Sequence, residues 1–462
     1  MEIRDVIHGS IPIDREEIPV LDSRLFQRLR QIKQLGFTEN SFPAATHTRY
    51  IHSLGAMQTA TQAFDTLFGG PSARESQYDP DRLKLFEKSP AAFARFRSVL
   101  RMAALLHDVG HGPLSHTTEF AMPDVEKLHV PGSSASGRKA THEDYTLKII
   151  LDSPLTPAIQ NLGRRHGFEP RHVAALIDRS LPLSDDFFKE TLEGKTWDFL
   201  PVLQQLVSSE LDCDRMDYLR RDSWHTGVSY GQFDFDWLLG NLTTHRTQGK
   251  VFLALQHRAL YAFEDFLLSR FHMFLMVYFH YKSVVLDEML ARYFASPDCD
   301  YALPADIEAY SECNDSHLAA HLARRTHNPW AKRITDRRPY RMLVELHSGI
   351  PTGRSAAEQQ RQLLERLEAE LAQRQVDYLK ATSSSELSKY FAGSSPKSGD
   401  PLFVRYDNFC SDPQYIPLEK CTDLFEKYGE KRSITRLYVA PEKLPELRDL
   451  GRGRPLTEEE PA

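Results

Sequence analysis

Cysteine is scarce in this sequence and never occurs in a paired motif. The chain contains 5 cysteines, an odd number, and they are widely spaced without any Cys-x-x-Cys pair. This spacing excludes the disulfide framework typical of small secreted domains. It indicates a protein of the reducing cytoplasm.

Long hydrophobic runs are also missing. The most apolar stretch, residues 271–281, is about half as long as a segment that spans a bilayer, and it contains His272 and His280. The first residues of the chain include acidic side chains and no apolar region, so no secretory signal is visible. We therefore expect a cytoplasmic protein without a membrane partner.

The sequence has no excess of positive charge. Its 462 residues include 57 Lys and Arg against 64 Asp and Glu, a formal charge of −7. A chain with this balance is not a general polyanion binder, so any phosphate site must be local. The hydrophobic content of 41% is typical of a globular chain, here long enough for several domains or for one large domain with insertions.

Helical spacing of apolar residues dominates the first two thirds of the chain. From residue 26 to 290 the apolar positions mostly recur at helical intervals, while long alternating β-branched runs are scarce. Residues 356–378 repeat leucine at helical spacing and predict an amphipathic helix. Residues 402–406 and 434–439 have strand-like residue types. The pattern predicts a mainly α protein with a small α+β C-terminal region.

These patterns divide the chain into three expected parts. They are a domain at residues 1–295 with its core at about 45–225, a helical extension at 296–380 with a basic segment at 324–341, and a small α+β region at 381–462 that ends in a frayed acidic tail.

Histidine and aspartate cluster in separated segments along the first domain. The segments are residues 47–52, 107–116, 142–143 and 212–218. His107 and Asp108 follow an apolar helix and lie about 100° apart around its axis, so both can approach one ion. We expect Gly110 and Gly112 to end that helix and to let the backbone approach a ligand.

One imidazole and one carboxylate form half of a mixed nitrogen and oxygen site. His52 and Asp214, from two other helices, would complete four ligands and leave positions open for water and substrate. That composition suits Mn, Fe, Zn or Mg in catalysis rather than a closed structural zinc site. Taken alone, His52 or Asp214 is better interpreted as a structural residue. The dense His-Asp segment is not, because buried imidazoles and carboxylates without partners are costly.

The sequence resembles the HD-domain metal-dependent phosphohydrolases, and within them the deoxynucleoside triphosphate triphosphohydrolases of the sterile-alpha-motif-and-HD type. The resemblance is dense from about residue 3 to 290. The matching segments are residues 7–9, 26–36, 42–43, 47–55, 107–116, 141–143 and 214–218. It implies an HD-domain helical fold, a divalent metal, Mg²⁺ bound with the nucleotide, and cleavage of deoxynucleoside triphosphates to deoxynucleoside plus triphosphate. It also implies a homo-oligomer.

The resemblance assigns roles residue by residue. It implies metal ligands at His52, His107, Asp108 and Asp214. The implied acid/base set is His111, His116, His142 and Glu143, with Glu119 orienting His116, which we favour as the proton donor. The implied substrate contacts are Arg49 to the α-phosphate, Arg215 and Arg270 to the outer phosphates, Tyr278 as the wall that excludes a 2′-hydroxyl, Tyr218, Asp222 and Gln34 to the 3′-hydroxyl, and Leu35 to the sugar.

Relatives of this type are activated by nucleotide effectors. The resemblance implies guanine-reading positions at Asp22, Gln27 and Arg30. Regulated members carry a basic residue just before the segment that corresponds to residues 3–5, where this chain has Glu2. Guanine-nucleotide activation is therefore an open expectation.

The basic segment at residues 324–341 has seven Lys or Arg residues against one Asp. It is a candidate for a second effector-phosphate site, with Arg337 and Arg341 aligned to one in the resembling family. A nucleic-acid patch and a solvated face are equally open interpretations.

Two alternatives to the triphosphohydrolase hypothesis stand beside it. One is an HD phosphohydrolase that acts on another nucleotide. The other is a nucleotide sensor or single-strand nucleic-acid-binding protein that uses the same pocket without turnover. The presence of His111, His116 and Glu143 favours turnover, because a sensor has no need of acid/base residues.

Overall fold

The computed structural model describes residues 1–73, 83–348, 354–385, 387, 391–392, 395–396, 400–408, 410–428, 432–447 and 450. Its α-helices are α1 (Ile18–Leu21), α2 (Arg24–Gln27), α3 (Arg49–Phe68), α4 (Leu85–Lys88), α5 (Pro90–Leu106), α6 (His142–Leu151), α7 (Thr156–His166), α8 (Pro170–Ile177), α9 (Leu200–Val207), α10 (Cys213–Thr226), α11 (Phe235–Gly240), α12 (Leu260–Met273), α13 (Tyr281–Phe294), α14 (Ile307–Tyr310), α15 (Asp315–Arg324), α16 (Pro329–Thr335), α17 (Arg354–Gln373) and α18 (Leu424–Lys427).

Short strands accompany these helices. They are β1 (Glu2–Asp5), β2 (Gly9–Pro12), β3 (Lys189–Leu192), β4 (Lys195–Asp198), β5 (Leu242–Thr247), β6 (Lys250–Gln256), β7 (Arg341–Ser348), β8 (Tyr378–Ser385), β9 (Phe391–Ala392), β10 (Ser395–Pro396), β11 (Phe403–Tyr406), β12 (Gln414–Pro417) and β13 (Arg432–Val439). Helices supply most of the regular structure and most of the core, which confirms the predicted mainly α fold.

Helix α3 lies at the centre of the first domain. Nearly all of its residues are buried, as expected for a helix that is surrounded by other elements. Helices α5 and α10 pack against it along much of its length. Gly55 allows the closest approach, because a Cβ atom there would lie 2.0 Å from Asp217 Oδ1 on α10. This packing brings side chains of three helices to one place.

A six-stranded sheet lies beside this helical core, and the sequence pattern did not predict it. Strands β5 and β6 form an antiparallel hairpin, and the fully apolar centre of β6 is buried. Strand β6 also pairs in parallel with β4 and with β11, which comes from the C-terminal part of the chain. Residues 403–406 therefore complete a sheet of the first domain.

A smaller α+β unit is built from β7, β13 and β8, in that order across the sheet. Leu367 and Leu371 of α17 pack against Leu437 and Val439 on one side of it. Helix α13 packs against the unit through a separate apolar cluster. Strand β8 crosses residue 380, where the sequence pattern placed a boundary, and the expected frayed tail at residues 457–462 lies outside the described residues.

Candidate active site

Four predicted metal ligands converge where α3, α5 and α10 meet. One ligand atom from each of His52, His107 and Asp214 lies within 4.8 Å of the others. His52 Nε2 is 2.9 Å and His107 Nε2 is 3.4 Å from Asp214 Oδ1. The Asp108 carboxylate adjoins both imidazoles, 3.6 Å from His52 Nε2 and 3.4 Å from His107 Nε2. The predicted quartet is thus brought together.

The two imidazoles are oriented as metal ligands. His52 Nδ1 donates to Asp217 Oδ2 at 2.9 Å, and His107 Nδ1 donates to the Ala104 carbonyl at 2.8 Å. Both Nε2 atoms are buried and make no hydrogen bond within the described part of the chain. A histidine that donates from one ring nitrogen and leaves the other unpaired is the usual form of a metal ligand. The residues present therefore fit a divalent metal ion.

The carboxylates around His52 change its protonation. Burial alone would lower the pKa of His52, but the adjacent Asp214 and Asp217 carboxylates outweigh burial and raise it to about 10. The same contacts with His107 and His52 lower the pKa of Asp214 below its ordinary value, against the effect of burial. A bound cation would replace the His52 proton and satisfy the same carboxylates.

Asp217 fixes the ring of the predicted metal ligand His52, a role that the sequence did not reveal. Its carboxylate also accepts from His8 Nε2 at 2.7 Å and from Arg221 Nε at 2.8 Å. Arg221 in turn donates to Asp5 at 2.7 Å, which links the network to the β1–β2 hairpin. In the sequence, this role of Asp217 was signalled only by His8, which precedes the core, and by the Asp217-x-x-x-Arg221 pair on α10.

Three of the predicted acid/base residues form a compact histidine cluster. The His111 and His142 rings are stacked with their centroids 3.8 Å apart, and the His116 ring lies edge-on to both. Glu119 Oε1 accepts from His142 Nδ1 at 2.6 Å and from His116 Nδ1 at 3.1 Å. Glu119 therefore orients both histidines rather than His116 alone.

The protonation states within this cluster differ. Burial, reinforced by the Arg49 cation and by neighbouring His142, holds the pKa of His111 well below its ordinary range, so this ring is neutral near pH 7. Burial would raise the pKa of Glu119, but the hydrogen bonds from His116 and His142 lower it to about 2. His116 is the exposed member, with 68% of its side chain accessible to solvent. That exposure suits a residue that exchanges protons with a substrate.

Glu143 stands apart from this arrangement. It lies in the first turn of α6, next to His142, and its side chain is exposed. The structure does not bring it into contact with the histidine cluster. The acid/base role that the resemblance implies for Glu143 stays a prediction.

The turn after His107 is held by groups outside the motif. Arg28 donates to the carbonyls of Val109 and His111 at 3.0 and 2.7 Å. A Cβ atom on Gly110 would lie 2.1 Å from the His142 carbonyl oxygen. The turn therefore approaches α6 at Gly110, and this close contact, rather than contact with a ligand, requires glycine there.

Two consecutive residues of this segment adopt left-handed backbone conformations. Leu114 and Ser115 have φ values of 54° and 63°. Asp315 accepts from the Leu114 amide at 2.7 Å and from the Lys33 amide at 3.0 Å, and Ser115 Oγ donates to the Lys33 carbonyl at 2.8 Å. Such conformations are costly for side chains other than glycine and persist where surrounding contacts enforce them. They place His116 over the cluster.

Arg49 lies between the metal ligands and this turn. Its guanidinium forms a close ion pair with Asp108 Oδ2 and donates to Ser115 Oγ at 2.9 Å. Arg49 is 5% exposed. A buried cation beside a predicted metal-ligand carboxylate is suited to hold an anionic group.

The residues predicted to contact a sugar form a connected row. Tyr278 follows α12 in a π-helical turn, and its hydroxyl donates to Asp222 Oδ2 at 2.8 Å. Asp222 Oδ1 accepts from His47 Nε2 at 2.7 Å. The Tyr218 ring lies between His52 and Tyr278, with centroids 6.4 Å from each. This row connects the metal ligands to the predicted sugar wall.

The remaining predicted substrate residues are placed around the row. The backbone N–H of Gln34 donates to the His47 carbonyl at 3.0 Å. The side-chain Oε1 of Gln34 is buried and has no hydrogen-bond partner in the described residues. Leu35 follows it in the chain and is half-buried. Arg215 and Arg270 both approach Glu210 Oε1, at 3.3 and 3.6 Å.

Of the predicted guanine-reading residues, Asp22 and Arg30 are exposed and Gln27 is half-buried. Gln27 Nε2 donates to the Leu21 carbonyl next to Asp22, and Arg30 Nε donates to Gln27 Oε1, both at 2.7 Å. Arg337 and Arg341 are exposed near the start of β7. Their contacts indicate no ligand, so the effector role stays a prediction.

Much of the basic segment at 324–341 is neutralised on its own surface. Arg325 pairs with Asp300, Arg333 with Glu442, and Lys332 with Asp336. These pairs favour the solvated face over a nucleic-acid patch.

In the part of the chain that the structure describes, no helix has the length and apolar character needed to cross a membrane.

Comparison with known proteins gives a family for most of this region. Residues 49–221 match the family described as HD domain, and residues 233–378 match the family described as HD associated region. The first match begins at Arg49 and ends at Arg221, so it contains every predicted metal ligand.

Similar sequences occur in archaea, amoebae and animals. The chain is 32% identical over 342 residues to the uncharacterized protein MJ1154 of Methanocaldococcus jannaschii, which covers 74% of this chain and 59% of that protein. It is 26% identical over 341 residues to the deoxynucleoside triphosphate triphosphohydrolase SAMHD1 of Homo sapiens, which covers 68% of this chain and 49% of that protein. The Dictyostelium discoideum homolog of SAMHD1 is 26% identical over 300 residues, 64% of this chain and 49% of its own. The chain spans between about half and three fifths of these relatives.

Two solved structures share the fold. A hypothetical protein from Aquifex aeolicus superposes with a TM-score of 0.69 at 23% identity, over 97% of this chain and 99% of that chain. The phosphohydrolase BT4208 from Bacteroides thetaiotaomicron gives a TM-score of 0.61 at 22% identity, over 95% of this chain and 99% of that chain. The arrangement of His52, His107, Asp108 and Asp214 agrees with the sequence match, and we conclude that the chain contains an HD domain followed by an HD associated region.

Proposed function

We propose that this chain is a metal-dependent phosphohydrolase that cleaves deoxynucleoside triphosphates to deoxynucleoside plus triphosphate. One observation carries the phosphohydrolase part. His52, His107 and Asp214 converge with two unpaired Nε2 atoms beside Asp108, and Arg49 lies at their edge. A mixed imidazole and carboxylate site next to a buried cation suits a phosphate group.

The chain's own residues can supply the remaining chemistry. A divalent metal held by His52, His107, Asp108 and Asp214 would neutralise phosphate charge and activate a water molecule. Arg49 would hold a non-bridging oxygen of the α-phosphate. His116, oriented by Glu119 and open to solvent, would donate a proton to the departing sugar oxygen. His111, neutral and buried, would serve as a hydrogen-bond partner rather than as the acid.

The deoxynucleotide part of the proposal is supported by the row from Tyr218 to Asp222. The Tyr278 hydroxyl is bonded to Asp222, so its ring is fixed in place at the end of the row. A fixed aromatic ring can exclude a 2′-hydroxyl by contact, and Asp222 and Gln34 offer polar atoms for a 3′-hydroxyl. Two relatives carry the name deoxynucleoside triphosphate triphosphohydrolase. Arg215 and Arg270, which both lie close to the Glu210 carboxylate, would contact the outer phosphates.

Regulation and assembly belong to the same proposal. Asp22, Gln27 and Arg30 would read an effector base, and the exposed Arg337 and Arg341 would contact its phosphates. We propose a homo-oligomer on the same grounds of resemblance. Mg²⁺ would accompany the nucleotide.

The test is product chromatography with the purified protein and Mn²⁺ or Mg²⁺, against each dNTP and NTP singly and in mixtures. We expect deoxynucleoside and intact triphosphate from dNTPs. Formation of the products only in mixtures would support effector gating. Monophosphate plus pyrophosphate would refute the proposed bond but keep a phosphohydrolase.

Two variants complete this experiment. Asp108→Ala removes a carboxylate of the metal site, and we expect it to abolish turnover. Asp124→Ala is the matched control, because Asp124 is an exposed carboxylate paired with Lys127 and Lys139. Absence of turnover in the wild type under every mixture would favour a nucleotide sensor instead.

A further inference from the structure

We propose that His47 is a positioning residue for Asp222, and that through this contact His47 makes the protein select ligands that carry a 3′-hydroxyl. The inference rests on the proposed function, which assigns the 3′-hydroxyl to Asp222 and Gln34. Neither His47 nor His225, the residue stacked on it, has a role in that proposal. Their contacts with the sugar-contacting residues give them one.

The Asp222 carboxylate is held from two sides. Its Oδ1 accepts from His47 Nε2 at 2.7 Å, and its Oδ2 accepts from the Tyr278 hydroxyl at 2.8 Å. The Asp222 side chain is 2% exposed, and the His47 side chain is completely buried. A carboxylate can accept about four hydrogen bonds, so this one keeps capacity for a ligand. A buried acceptor in a fixed orientation binds a ligand hydroxyl and rejects a ligand that lacks it.

The tautomer of His47 follows from its contacts. Because an ionised carboxylate can only accept, the proton between Asp222 and His47 belongs to His47 Nε2. His47 Nδ1 is buried and has no hydrogen-bond partner among the described residues. The contact that orients the His47 side chain within the site is therefore its donation to Asp222.

Neighbouring contacts fix the plane of the His47 ring. The His225 ring is stacked on it, with centroids 4.3 Å apart and 17° between the ring planes. His225 lies one helical turn after Asp222 on α10, and it forms a hydrogen bond with the backbone of Ala44, just before His47 in the chain. The His47 carbonyl also accepts from the Gln34 backbone N–H at 3.0 Å. These contacts hold His47 between the two residues that are proposed to read the 3′-hydroxyl.

Loss of the His47 donor would leave Asp222 with Tyr278 as its remaining partner in this row. The carboxylate could then turn away from the position in which it meets a 3′-hydroxyl. Loss of a hydrogen bond that involves a charged group corresponds to about a 10- to 100-fold change in affinity. Because the 3′-hydroxyl is bound equally in the substrate complex and in the transition state, we expect KM to rise and kcat to change little. A general structural defect would instead lower activity on all nucleotides alike.

The test compares kcat/KM for a dNTP and for the matching 2′,3′-dideoxynucleoside triphosphate, which differs from it only by lacking the 3′-hydroxyl. We expect the wild type to prefer the dNTP. His47→Phe keeps a ring for stacking and removes the donor, and we expect it to reduce this preference about 10- to 100-fold, through KM for the dNTP. His47→Asn, whose amide is too short to reach Asp222, should give the same reduction without a larger side chain.

His47→Gln is the conservative variant, because its longer amide can place an N–H near the position of Nε2. We expect it to recover most of the preference for the dNTP. An equal loss on both nucleotides in His47→Phe and His47→Asn would overturn the proposal, and so would a wild type without any preference.

His172→Phe is the matched control. His172 is also a buried histidine, its Nε2 lies 3.0 Å from Asp185 Oδ2, and its ring stacks on Phe187 with centroids 4.0 Å apart. It lies on α8, away from the row of sugar-contacting residues, so we expect the wild-type preference for the dNTP. A reduced preference in this variant too would make the effect a general result of losing a buried histidine, and the proposal would fail.

The inference can fail or succeed separately from the proposed function. If the wild type hydrolyses neither nucleotide, the proposed function fails, and the same preference is then measured as a ratio of Kd values by equilibrium dialysis. A preference for the dNTP that His47→Phe reduces would still support the role of His47. Equal Kd values for the two nucleotides in the wild type would overturn it.

Discussion

Asp217 connects the predicted metal ligand His52 to the surrounding fold. Its carboxylate is fully buried and joins His52, His8 and Arg221. Asp217→Asn keeps the shape of the side chain and removes its charge. We expect two separate losses, one in metal affinity and one in the free energy of unfolding.

The magnitudes follow from the contacts. Loss of the partner that fixes a metal-ligating histidine typically weakens metal binding about 10- to 100-fold. Removal of one member of a buried ion pair costs about 3–5 kcal/mol, because the other charge stays buried. Asp5 still accepts from Arg221 at 2.7 and 3.2 Å, so we expect the lower end, about 3 kcal/mol.

Two measurements separate these losses. Urea unfolding with excess chelator reports the free energy of unfolding without metal, and isothermal titration with Mn²⁺ or Zn²⁺ reports affinity. Asp65→Asn is the matched control, because Asp65 is a fully buried carboxylate on the same helix as His52 and pairs with Arg97 at 2.9 Å. We expect it to lower stability without a change in metal affinity.

The reasoning fails if Asp217→Asn loses stability but binds metal as tightly as the wild type. That result would make Asp217 a structural partner of Arg221 with no effect on His52. It would also fail if both carboxylate variants weakened metal binding equally, since the effect would then be a general loss of packing around α3.

Three further predictions concern neighbouring groups. Burial raises the pKa of Asp287 to about 7, whereas the ordinary value for an unfolded Asp is 3.8. The protein therefore loses stability as pH rises between these two values. In thermal scans, Asp287→Asn should melt at a higher temperature than the wild type at pH 8 but not at pH 4. Gly55→Ala puts a Cβ atom 2.0 Å from Asp217 Oδ1, so chemical unfolding should show a loss of about 1–3 kcal/mol. Glu119→Gln should lower kcat about 10²-fold with little change in KM, because His116 and His142 lose the carboxylate that orients them; an unchanged kcat would contradict it.

The convergence of the four predicted metal ligands could be anticipated because their segments are distinctive. An adjacent His107 and Asp108 at the end of an apolar helix have few structural uses, and the fold brings His52 and Asp214 to the same place. The histidine cluster was predictable for the same reason, since two of its members fall in a short polar segment next to a buried helix. Composition alone would have shown neither.

The role of Asp217 could not be read from the sequence. Asp212, Asp214 and Asp217 lie within six residues, and helical spacing allows more than one of them to face a metal. In the structure, Asp212 caps the N-terminus of α10 and Asp214 lies in the group of predicted metal ligands. Asp217 accepts a hydrogen bond from His52 Nδ1. Which of these aspartates takes which role depends on how closely α3 and α10 approach each other. The spacing of residues along the sequence does not specify that distance.

The six-stranded sheet was missed for a different reason. The centre of strand β6, residues 251–255, is apolar on both faces because both are buried, so it lacks the alternation that marks a half-exposed strand. Its partner β11 lies about 150 residues further along the chain, and parallel pairing at that separation leaves no local signal.

The site is held by residues from beyond the HD match as well as within it. Asp5 and His8 precede residue 49 and support His52 through Asp217, while Asp315, in the HD associated region, fixes the left-handed turn before His116. Each of these contacts is buried or half-buried and joins charged or backbone groups, so its loss would leave an unpaired polar group near the ligands. The ligand residues therefore define what the site can bind, whereas the N-terminal hairpin and the HD associated region determine whether those residues are held in that arrangement.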